Sequence, residues 1–213
     1  MPGMVMHHVH SPQFVLGMWL LMSAAMMAPT ALPMLRTYSS LIEGSSGRLS
    51  RQSFWVLLTG YLLVWSVFAV AASVLQLALR HSNLVDGVGT STSLWLSGAL
   101  LALAAGYQLS PLKQACVRRC RAPMAFLMSH WRDGPAGAIR LGLRHGLDCL
   151  GCCVALMLLA FVGGTLSIGF MLVATLIMAT EKLPQLGPRV SQILTAVLAV
   201  SCVSVLALAM GVV

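Results

Sequence analysis

A chain of 213 residues that is 58% hydrophobic and only 8% charged has too little polar side chain to cover a water-soluble domain of its size. Its formal net charge of +8 comes from cations that lie between apolar runs, with no aromatic or glycine-rich nucleic-acid module among them, so nucleic acid is excluded as a partner. The expected fold is all-α, a polytopic transmembrane helical bundle, because lipid solvates an apolar helix on every side and a helix satisfies its own backbone.

Apolar stretches of about 20 residues place spans at about 14–35, 54–79, 93–109, 149–180 and 190–213, in a single membrane domain covering 1–213. The first is expected as a retained helix and not a cleaved leader. Its N-terminal flank carries His and Met but no Lys or Arg, and Pro29 and Pro33 stand where small cleavage-site residues would be. The stretch 149–180 would make a helix on the order of 48 Å long against a hydrocarbon core of about 30 Å. Gly163-Gly164 is its natural break, which would raise five spans to six.

Cations set the expected direction. Arg36, Arg48 and Arg51 follow the first span. Lys113, Arg118, Arg119, Arg121, Arg132, Arg140 and Arg144 fill the basic segment 110–147. Five spans put both groups in the cytoplasm, leave Arg80, Lys182 and Arg189 opposite, and give an external N-terminus with a cytoplasmic C-terminus. No internal repeat suggests a transporter.

Candidate chemistry falls at three places. Met18, Met22 and Met26 recur every fourth residue with Met27 beside them, which lines one helix face with thioethers suited to Cu(I); methionine stripes also serve as plain packing. Pro111 opens a short helix on which Leu112, Cys116 and Cys120 share a stripe. Neighbouring arginines there would lower the thiol pKa and favour thiolate ligands, although two small apolar residues in a buried stripe would look the same. Finally, His145, Cys149 and Cys152 share a face bordered by Asp148, in the run His145-Gly146-Leu147-Asp148-Cys149-Leu150-Gly151-Cys152-Cys153, a mixed ligand set for copper or zinc.

By this topology all three lie toward the inner ends of their spans. The six cysteines are expected as thiols or ligands and not as bridges. His7, His8 and His10 form a weaker metal-recruiting tract, and Glu181-Lys182 reads as an interfacial ion pair. No phosphate loop, His-Glu-x-x-His or Gly-x-Ser-x-Gly occurs, so no catalytic residues are assigned.

Three segments carry a resemblance: AMMAPTALPM at 25–34, YQLSPLKQACVRRCRAP at 107–123 and GLRHGLDCLGCCVALM at 142–157. They resemble a bacterial family described as predicted metal-binding integral membrane proteins, a domain of unknown function. The chain departs from that family at Val154, where Trp is usual, and at Thr165-Leu166-Ser167, where a Met-Asn pair is usual. The resemblance implies a multi-pass protein of the bacterial inner membrane with Met, Cys and His as candidate ligands. The expected function is binding a soft metal, copper foremost, with zinc or no metal as alternatives. It would act in metal handling or as a subunit of a larger membrane complex. The competing reading is a metal-free structural or assembly subunit packed against partner spans.

Overall fold

The structure is a computed structural model that describes residues 11–42 and 47–211. Among those residues every regular element is a helix, and β pairing is limited to an isolated bridge between Val85 and Ser91. The all-α expectation holds.

Helix α1 (Pro12–Ile42) continues through Pro29 and Pro33. Each proline removes an amide donor from the ladder. Hydroxyls crowd this stretch: Thr30 Oγ1 donates to Met27 O at 2.9 Å and Thr37 Oγ1 to Pro33 O at 2.8 Å. Helix α2 (Gly47–His81) runs back along α1. Trp19 Nε1 donates to Gln76 Oε1 at 2.7 Å near one end, and Tyr38 bonds the Ser53 side chain near the other.

Helix α3 (Leu94–Gln108) is capped by Ser93, whose hydroxyl accepts from Leu96 N. At 15 residues it is about 22 Å long. Ser110 caps α4 (Pro111–Arg121), α5 (Pro123–His130) follows, and α6 (Gly134–Leu158) then rises through the centre. A single turn, α7 (Ala160–Gly163), ends at Gly164, whose φ of 90° is a conformation that glycine adopts at no steric cost. Helices α8 (Ile168–Glu181) and α9 (Gly187–Ala209) complete the chain.

The apolar stretch 149–180 therefore divides at the glycine pair, as the longer-than-bilayer length required. Residues 134–147, expected within a separate basic segment, instead form the first turns of α6. Among the described residues four helical segments are long and apolar enough to cross a membrane: Pro12–Ile42, Arg51–His81, Gly134–Gly163 and Gly187–Ala209. Helices α3 and α8 are apolar but shorter.

The Gly134–Gly163 segment is the most enclosed of these, 61% buried over its most apolar window against 17% for α9. Glycines make that possible. A Cβ on Gly142 would lie 2.0 Å from Leu57 O, one on Gly60 2.6 Å from Ile139 O, and one on Gly146 2.9 Å from a Val64 methyl. Backbone thus meets backbone between α2 and α6, the close approach that small residues permit. Gly142→Ala should lower the thermal midpoint in detergent, costing about 1–3 kcal/mol of overpacking. Gly17→Ala, where an added Cβ meets nothing, should be neutral or slightly stabilising.

Turns fix the two ends of the bundle. At one end Ser91 N donates to Phe161 O at 2.7 Å, Thr165 Oγ1 donates to Val88 O, and Trp19 packs on Phe161. Leu206 of α9 fills the space over Gly98 at the start of α3. The beginning of α1 and the end of α9 thus lie at the same end. A C-terminus opposite the N-terminus required an odd number of passes, and the break after Gly163 removes that parity. The same break moves Lys182 and Arg189 to the end that holds α4 and α5, so only Arg80 of the expected opposite group stays apart.

Candidate metal site

Sulfur gathers where α1, α6 and α8 meet. Cys149 Sγ and Cys153 Sγ each lie 3.9 Å from Met27 Sδ, and Cys153 Sγ also donates to Cys149 O at 3.0 Å. All three residues are fully enclosed, between 0% and 1% exposed. The i, i+4 spacing puts both cysteines on one side of α6. Phenol, hydroxyl and ammonium groups surround Cys149: Tyr61 Oη at 3.5 Å, Thr30 Oγ1 at 3.9 Å and Lys182 Nζ at 3.2 Å. Thr30 Oγ1 also reaches Met27 Sδ at 3.7 Å.

The expected ligands are distributed around this point and do not form one pocket. Met22 and Met26 are buried in the same core, but the thioether that meets the thiols is that of Met27. Cys152 Sγ donates to Cys149 O at 3.0 Å and is hydrogen-bonded to Cys120 from α4. Cys116 packs against Gly151, so the two cysteines of α4 face different neighbours. Leu112 is 61% exposed and leaves the expected stripe, which Lys113 and Val117 occupy.

The thiols of α4 also titrate against expectation. The bond to Cys152 and burial push the Cys120 thiol up, and burial ahead of the Asp148 charge pushes Cys116 up, so the adjacent arginines do not make thiolates of them.

His145 stacks on Tyr61 with centroids 5.6 Å apart and leans on Phe126, and its Nε2 has no hydrogen-bond partner among the described residues. Asp148 Oδ1 accepts from Arg119 at 2.8 Å, which raises the Arg119 pKa, and Asp148 Oδ2 is likewise without a partner. Among the described residues no three His, Cys, Asp or Glu side chains converge as a closed ligand set. The convergence that exists mixes two thiols with a thioether. The six cysteines are all free, as expected, and the His7, His8 and His10 tract lies outside the described residues.

A family model described as PpoB2, copper chaperone, matches residues 16–205. The chain belongs to that family. The match covers α1 through most of α9, and so every sulfur described above. No curated protein and no solved structure matches the chain. Membership agrees with a metal-related bacterial family, and the family's description associates it with copper.

Two residues of this neighbourhood escaped the sequence reading. Cys153 was visible as half of a Cys-Cys pair, and the i, i+4 relation to Cys149 was the signal. Lys182 was expected to pair with Glu181. Instead Glu181 receives Lys113 Nζ at 2.9 Å and Gln108 Nε2 at 3.1 Å, Lys113 also reaches Gln108 Oε1, and Lys182 points to sulfur. Arg121 completes the junction with two bonds to Glu181 O, at 2.9 and 2.7 Å.

Proposed function

We propose that the chain is a membrane-embedded copper chaperone that carries Cu(I) between Met27, Cys149 and Cys153 and delivers it to a partner protein in the bacterial inner membrane. The observation that carries this is the sulfur triangle. Its two thioether–thiol edges are each 3.9 Å, and an equilateral triangle of that edge has its centre about 2.3 Å from each corner, the length of a metal–thiolate bond. The 3.9 Å separations thus suit three sulfurs around one ion with little rearrangement. Soft thiolate and thioether donors favour Cu(I), while zinc ordinarily takes four ligands in a tetrahedron. Copper here is cargo, so a three-coordinate site that leaves room for an incoming ligand suits release as well as capture.

The four long helices would cross the bilayer, with α3 and α8 reaching partway. Every Lys and Arg except Arg80 belongs to segments at the α4/α5 end, and the positive-inside tendency favours that end as cytoplasmic. Both the start of α1 and the end of α9 would then face outward. The exposed flank of α9 is available to lipid or to a partner span.

Titrating detergent-purified protein with Cu(I) under reducing conditions tests the reading. The expected result is stoichiometric binding with ultraviolet sulfur-to-copper charge-transfer absorption, absent from the Cys149→Ser/Cys153→Ser double variant. Protein that takes up no Cu(I), yet keeps a stable set of membrane partners after chelation, would favour the metal-free assembly subunit instead.

A further inference from the structure

Lys182 caps the C-terminus of α8 and sends its ammonium group to Cys149 Sγ at 3.2 Å. Among the described residues no carboxylate pairs with it. The ion pairs among them are Lys113–Glu181 and Arg119–Asp148, so both nearby acids are engaged elsewhere. Cys149 is 0% exposed and shares the Met27 thioether with Cys153. A fixed cation against that enclosed thiol constrains the charge of anything bound there, because net charge is costly where water is excluded.

We propose that Lys182 is the charge-balancing residue of the sulfur site and sets it for a monovalent ion over a divalent one. This rests on the Met27/Cys149/Cys153 reading above. Loading forms one metal–sulfur bond to each cysteine as its S–H bond breaks, and both protons leave to solvent. Two thiolates and a neutral thioether beside Lys182 then sum to −1. Cu(I) brings the site to zero, whereas Zn(II) neutralises the two thiolates by itself and leaves the ammonium as an uncompensated +1. Without the lysine the same ligands sum to −2, and the divalent ion becomes the one that neutralises them. Lys182 is thus a positioning and specificity residue that touches a ligand and not the metal.

The test compares Cu(I) affinity, from competition with a chromophoric Cu(I) chelator, with Zn(II) and Cd(II) affinity for wild-type protein, Lys182→Gln and Lys182→Arg. Size-exclusion profile and helical content of the metal-free proteins serve as folding controls, and Lys182→Leu replaces Lys182→Gln if the latter is poorly folded. In the charge-deleted variant the Cu(I)-over-Zn(II) preference should fall by about tenfold or more, while Lys182→Arg keeps it. An unchanged preference in a folded charge-deleted variant overturns the proposal while leaving the sulfur site standing. Wild-type protein that binds no Cu(I), or binds it equally after Cys149→Ser/Cys153→Ser, removes the site and this proposal with it.

Discussion

Cys149→Ala should weaken Cu(I) binding by about a hundredfold or more, roughly 2.7 kcal/mol, whereas Cys116→Ala should leave it within about threefold. The difference follows from position. Cys149 lies at 0% exposure between the Met27 thioether on α1 and the Lys182 ammonium at the end of α8, so its loss removes a corner of the triangle and the group that meets both neighbouring helices. Cys116 lies on α4 against Gly151, whereas the contacts of the Met27 thioether are with Cys149 and Cys153. Met27→Leu should fall between them, at about tenfold, since two thiolates can still hold Cu(I) after the weaker thioether is gone. Competition against a chromophoric Cu(I) chelator gives all three affinities on one scale. Equal losses at Cys116 and Cys149 would mean that copper is held elsewhere, with both thiols acting only through packing.

That ranking differs from the one the sequence suggested, and the reasons lie in helix geometry. The apolar helices, the enclosing end segments and the break at Gly163-Gly164 were legible because length and composition decide them. The choice between Met26 and Met27 was not. When a helix is apolar on all sides, adjacent residues are equally suited to burial, and the rotation of the helix against its neighbours decides which one meets the thiols. Both are in fact buried, at 3% and 1% exposure, so burial itself carried no discrimination.

Glu181-Lys182 failed for a related reason. Consecutive residues on a helix do not face each other, so sequence adjacency of opposite charges says little about pairing. The true partner of Glu181 lies 68 residues away on α4. Cys153 was recoverable from spacing alone, because four residues after Cys149 is one turn along the same face. The face chosen in its place was anchored on His145, whose ring is occupied by Tyr61 and Phe126.

Glu181→Gln should destabilise the fold by about 3–5 kcal/mol, the largest single stability effect expected in this chain. Both side chains of the Lys113–Glu181 pair are 3% exposed, so removing the carboxylate charge leaves an enclosed ammonium with neutral amide oxygens and no counter-charge. Lys113→Met should cost a similar amount by stranding the carboxylate. The Lys113→Met/Glu181→Met double variant should recover much of the loss, because two apolar side chains of comparable volume need no compensation in that setting. Thermal unfolding in detergent, read as a double-mutant cycle, measures the coupling. Losses that simply add in the double variant would show that each residue acts through separate contacts. The pair also bears on the sulfur site: it ties α4 to the last turn of α8, and Lys182 is the next residue along. Glu181→Gln should therefore alter the metal preference in the same direction as Lys182→Gln, but by less, since the ammonium is displaced and not removed.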